Sequence, residues 1–72
     1  MSATGNSVVR MANQIALNFA ALGEDEAARA TAEHIGKYWD PRMRAAAANL
    51  LGEPDCGYSR AARVAIRLAC AG

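Results

Sequence analysis

The chain offers one histidine, His34, and two cysteines, Cys56 and Cys70. A catalytic set would need His34 beside one of those thiols or a serine hydroxyl. It would also need a third group to orient the base, and an oxyanion hole. Nothing in the spacing brings such a set together, and His34 reads as a surface residue on a helix flank. The two thiols stand 14 positions apart with no CxxC or HxxxH pair, so no metal site is indicated. They are also too few for a disulfide scaffold. No glycine cluster precedes a helix in the pattern that cradles phosphate. These residues therefore assign the chain no catalytic, cofactor-binding or metal-ligating role.

Cationic and aromatic residues are more informative. Arg60, Arg63 and Arg67 share one face of the last helix and could touch phosphates. That helix carries no Asn, Gln or Lys to read bases, and the formal charge of the chain is only +1. A solvated or partner-facing stripe is the better reading, and a small DNA-binding regulator is kept as an alternative. The densest segment is Lys37-Tyr38-Trp39-Asp40-Pro41-Arg42-Met43-Arg44, with two of the four aromatics and three cations. Arg42 sits at N2 of a helix, where the dipole disfavours positive charge by up to ~1 kcal/mol. One account pairs Arg42 with Asp40 or Glu33 and buries Trp39 in the core. The other sends Arg42 and Arg44 to carboxylates on another protein, with Tyr38 and Trp39 anchoring nearby. Trp, Tyr and Arg are the types enriched at dominant contacts. Leu17 adds a second surface, because it shares the polar side of the first helix with Arg10, Asn13 and Gln14. The expected partner-binding set is thus Arg10, Asn13, Gln14, Leu17, Lys37, Tyr38, Trp39, Asp40, Arg42 and Arg44.

Helices must position these groups. Ala makes up 18 of 72 residues and is the best helix former, while no stretch alternates with period 2 for long enough to be a strand. The expectation is an all-α fold, a small bundle of about four short helices in a single domain over 1–72. Residues 1–6 should fray, and helix one should start at Ser7 and stop at Gly23. Val8, Met11, Ile15, Phe19 and Leu22 should be its apolar stripe. Helix two opens on Glu24-Asp25-Glu26, acids that suit a positive helix end. It buries Ala28, Ala32, Ile35 and Trp39, and Gly36 inside it suggests a close backbone approach. Asp40 caps helix three with Pro41 at N1, and Met43, Ala46, Ala47 and Leu50 face inward. Gly52 closes that helix, and 52–58 is a loop. Ser59 caps helix four, whose inner face is read as Ala61, Val64, Ala65 and Leu68.

Two blocks, Val9-Arg10-Met11-Ala12-Asn13-Gln14-Ile15 followed by Phe19, and Ala32-Glu33-His34-Ile35-Gly36-Lys37-Tyr38-Trp39-Asp40-Pro41-Arg42-Met43-Arg44, have a distinctive order and spacing. They resemble the signature blocks of the delta subunit of soluble NAD-dependent formate dehydrogenase. The resemblance covers residues 9–44, with Tyr38 where Phe is usual, and finds no motif in 52–72. It implies a non-catalytic small subunit docked on larger formate dehydrogenase subunits, the catalytic alpha subunit foremost, supporting assembly or stability. It also implies a cytoplasmic parent complex that oxidises formate to CO2. There the larger subunits hold a molybdopterin-type cofactor with molybdenum or tungsten, iron–sulfur clusters and FMN, and reduce NAD. This chain would itself bind no cofactor, nucleic acid or membrane.

Composition sets the same bounds. Only 12 of 72 residues are Leu, Ile, Val or Phe, so the core is thin. Below about 70–80 residues one core rarely supplies more than ~3–5 kcal/mol. A free-standing enzyme with a deep pocket is disfavoured on length. No run of 18 apolar residues exists, and the first residues lack the pattern of a secretory signal, so a cytoplasmic home is expected. A self-associating helical module is the remaining alternative.

Overall fold

The computed structural model describes residues 3–53 and 57–71. They form α1 (Ala3–Asn18), α2 (Glu24–Tyr38), α3 (Pro41–Leu50) and α4 (Arg60–Ala71), with a 3-10 turn, Ala20–Leu22, after α1. The described residues contain no strand, so the fold is a small all-α bundle of four helices.

The punctuation residues act as their chemistry dictates. The Asp40 carboxylate accepts a hydrogen bond from the Met43 N–H at 2.9 Å, and Pro41 fills the first helical position. Asp40 is extended (ψ 166°), as the residue before a proline prefers, so α2 ends at Tyr38. Ser59 starts α4: its hydroxyl accepts from the Ala62 N–H at 3.2 Å and its carbonyl from the Arg63 N–H at 2.9 Å. Gly23 joins the 3-10 turn to α2 at φ 97°, ψ 158°, a conformation open to glycine because it lacks a Cβ.

Three boundaries differ from the sequence expectation. α1 starts at Ala3, so residues 3–6 are helical and not frayed, while 1–2 lie outside the described residues. Gly5 and Asn6 read as a turn, but each costs a helix only up to about 1 kcal/mol, a weak stop signal. α1 also ends at Asn18, and the last turn before Gly23 tightens to 3-10 geometry. α3 closes through Leu51, whose N–H bonds the Ala48 carbonyl, and Gly52 follows in the turn. Within the expected 52–58 loop, Pro54, Asp55 and Cys56 lie outside the described residues.

The core is built from small residues around a few large ones. Val8, Ala12 and Ala16 of α1 meet Ile35 and Trp39, Ala47 of α3, and Ala62 and Ile66 of α4. α2 packs most extensively against α4, and the Arg60–Glu24 contact at 3.5 Å places the starts of these helices together. Ala27, Ala28 and Thr31 are buried on α2, and Ala62 and Ala65 on α4. Small side chains let helix axes approach closely. Among the described residues Thr31 is the buried polar side chain, and its hydroxyl donates to the Ala27 carbonyl at 2.6 Å.

The apolar faces of α2 and α3 follow the expectation, with Ala28, Ile35, Trp39 and Ala47 buried. Two other faces are corrected. α1 buries the Val8–Ala12–Ala16 ladder and leaves Met11 and Leu22 exposed. α4 buries Ala65 as expected but also turns Ala62 and Ile66 inward, and leaves Val64 and Leu68 exposed. Gly36 marks no close approach, because a Cβ there would meet nothing within 4 Å.

Candidate docking surface

The ten expected partner-binding residues divide into an α1 surface and a corner between α2 and α3. On α1, Arg10, Gln14 and Leu17 are exposed and share one outward stripe at helical spacing. Leu17 is 67% exposed. Gln14 donates to the Asn18 side chain at 3.3 Å. Asn13 has another task. Its Nδ2 donates to the Gly57 carbonyl and its Oδ1 accepts from the Ser59 N–H, both at 2.8 Å. Asn13 therefore clamps the segment before α4 against α1.

That clamp helps form one wall of a groove of about 540 Å³, lined by Asn13, Ala16, Leu17, Ala20, Glu24, Ala27, Gly57, Ser59 and Ala61. Sequence reasoning found only Asn13 and Leu17 among these. The i,i+4 pair Ala16 and Ala20 was the available signal, but it was hidden among many other alanines.

At the corner, the two aromatics part. Trp39 is 5% exposed and belongs to the core, whereas Tyr38 is 71% exposed. Of the two aromatics expected to anchor a partner, Tyr38 is therefore the one that the surface of this chain presents, while Trp39 packs in the core. Tyr38 packs against His34 in a tilted arrangement, ring centroids 4.7 Å apart and planes at 44°. Asp40 is exposed but holds the α3 cap. Lys37 and Arg42 are exposed, and neither forms an ion pair among the described residues. The expected pairing of Arg42 with Asp40 or Glu33 is thus absent among those residues. Arg44 is half-buried and lines a depression with Pro41, Ala45, Ala48, Ala69 and Cys70. Residues two apart do not share a helix face. Arg42 and Arg44 therefore project from opposite flanks of α3 and do not make one cationic patch.

Elsewhere, the arginine stripe of α4 is engaged within the chain to different degrees. Arg60 pairs with Glu24, and Arg63 donates from Nη1 to the Leu51 carbonyl at 3.3 Å. Arg67 is exposed. Cys70 is an exposed free thiol, with Sγ 3.6 Å from the Arg44 carbonyl. Among the described residues no group of three His, Cys, Asp or Glu could hold a metal ion, and no helix is long and apolar enough to cross a membrane. This surface can offer shape, apolar contact and charge to another macromolecule.

No curated protein and no solved structure matches the chain. A family model does, that of the NADH-dependent formate dehydrogenase delta subunit FdsD, over residues 7–66. The match takes in both blocks noted in the sequence. It continues through the Asn13-clamped segment into α4, beyond the reach of the sequence resemblance. With most of its 72 residues matched, from α1 through the inner face of α4, the chain belongs to the formate dehydrogenase delta subunit family.

Proposed function

We propose that this chain is a non-catalytic accessory subunit that docks on the larger subunits of a NAD-dependent formate dehydrogenase, chiefly the catalytic alpha subunit, and supports assembly or stability of the complex. The family match carries this reading. The surface supports it. Leu17, Tyr38 and Arg42 are exposed, and Tyr and Arg are types that dominate interface energetics. Fully burying a leucine side chain contributes about 1.5–3 kcal/mol, so Leu17 alone could supply a useful anchor. Lys37 and Arg42 would meet carboxylates of the partner, steering encounter and fixing register more than adding raw affinity. In this reading the metal–pterin, the iron–sulfur clusters, FMN and NAD all belong to the larger subunits, and the complex works in the cytoplasm.

The DNA-binding alternative has less behind it, because the formal charge is only +1 and Arg63 of the α4 stripe is already engaged with the Leu51 carbonyl. The test is capture from the native host. A tagged chain should co-purify with a large pterin-dependent oxidoreductase subunit. Capture of no such subunit, under conditions where the tagged chain is soluble and helical, refutes the reading.

A further inference from the structure

We infer that the groove between α1, the first turn of α2 and the start of α4 receives an amphipathic helix of a larger partner subunit, lying parallel to α1. The inference rests on the docking reading above and names the surface and the chemistry of what covers it.

The groove offers apolar contact and little else. Its floor and walls include Ala16, Ala20, Ala27 and Ala61, with Leu17 standing out of one wall. Its polar edge is already satisfied internally. Both ends of the Asn13 amide are engaged with Gly57 and Ser59, and the Ser59 hydroxyl takes the Ala62 N–H. A partner that needs hydrogen bonds from this site would find few, whereas leucine- or methionine-sized side chains would find methyl groups. Such a groove suits the helix-in-groove mode, with anchors at i, i+3 or i+4.

Charge sets the direction. The stripe that leads into the groove begins at Arg10 and reaches Leu17 about 10 Å further along α1. Beyond Leu17 the chain turns into Glu24-Asp25-Glu26, and Glu24 lines the groove. Glu24 and Glu26 have arginine partners at 3.5 and 3.7 Å on exposed side chains, while Asp25 has no ion pair among the described residues. One end of the surface is therefore cationic and the other keeps an acid in excess. Helices tend to carry acids in their first turn and bases in their last. A partner helix with that distribution complements this surface when its N-terminal end lies toward Arg10 and its C-terminal end toward the first turn of α2.

The test uses the chain co-expressed with the larger formate dehydrogenase subunits. A photo-crosslinking residue replaces Ala20, which is exposed on the groove, and in a control Arg67, exposed on α4 and outside the groove. Position 20 should crosslink to a larger subunit, within a peptide that has apolar residues at helical spacing and Lys or Arg toward its C-terminal end. Ala20→Trp should fill the groove and weaken binding about tenfold or more, with the circular dichroism of the chain unchanged. The inference is overturned by wild-type binding of Ala20→Trp together with no crosslink from position 20, in a complex that still forms. A crosslink joining two copies of this chain also overturns it. If the wild-type chain binds no larger subunit at all, this inference and the docking reading fall together.

Discussion

Adjacent residues at the α2–α3 corner have opposite fates, and that contrast is testable. Trp39 is buried among the core residues, so Trp39→Ala should cost about 3–5 kcal/mol, as large core truncations do. A core of this size supplies little more than that, so the variant should be unfolded in isolation by circular dichroism. A helical, cooperatively melting Trp39→Ala would contradict the placement. Tyr38→Ala should shift isolated stability by no more than about 0.5 kcal/mol, as substitutions at exposed sites do, and instead weaken capture of the larger subunits. Asn13 illustrates the limits of residue type as a guide. Its side chain bonds two backbone groups more than 40 positions away, so Asn13→Ala should lower stability by about 1–2 kcal/mol in urea denaturation. An unchanged midpoint would mean that the clamp contributes nothing. Sequence alone placed Asn13 on a polar helix face but had no means of seeing that long-range pairing.

At the scale of elements, helix starts were legible and helix faces less so. Asp40-Pro41 and Ser59 announce α3 and α4 because caps are local chemistry, decided within one turn. Faces depend on what the neighbouring helix presents. With 18 alanines in the chain, the apolar pattern fits several rotations nearly equally well. Placing the largest side chains inward misassigned Met11, Leu22, Val64 and Leu68, since close helix packing selects Ala12, Ala16 and Ala62 instead, while Ala65 is buried as expected. The groove was hidden for the same reason. Substitutions can check the corrected α4 face. Ala65→Leu should cost about 1–3 kcal/mol by overpacking, while Val64→Gln stays near neutral. Equal effects at the two sites would put the face back in question. Two glycines make a second contrast. Gly36 is in an ordinary helical position with open space around it, so Gly36→Ala should stabilise by about 0.5–1 kcal/mol. Gly57 holds φ 89° with a Cβ path 3.6 Å from Val9, so Gly57→Ala should destabilise by more than Gly36→Ala stabilises. A thermal melt of both variants, with Tm shifts of opposite sign, is the expected result.

Taken whole, the molecule exposes more surface than its size requires. Its accessible area is 4772 Å², against roughly 4,300 Å² for a typical folded monomer of this mass. Among the described residues, the outward α1 stripe and the Tyr38 corner keep Leu17 and Tyr38 exposed, and the alanine groove lies open beside Leu17. A bundle that leaves such surfaces open while filling its interior largely with methyl groups gains stability by binding. A larger subunit present at a hundred times its dissociation constant adds about 2.7 kcal/mol to a chain that binds it only when folded. The chain should therefore melt at a higher temperature with its partner than alone. The most direct measurement is sedimentation of the labelled chain, at nanomolar concentration, with formate dehydrogenase complex purified from a strain lacking it. The docking account predicts that the label moves to the sedimentation coefficient of the complex and saturates at a fixed stoichiometry. It also predicts that Leu17→Glu and Arg42→Glu each weaken that shift. A label that sediments as free chain at every concentration of complex, while remaining helical, would contradict it.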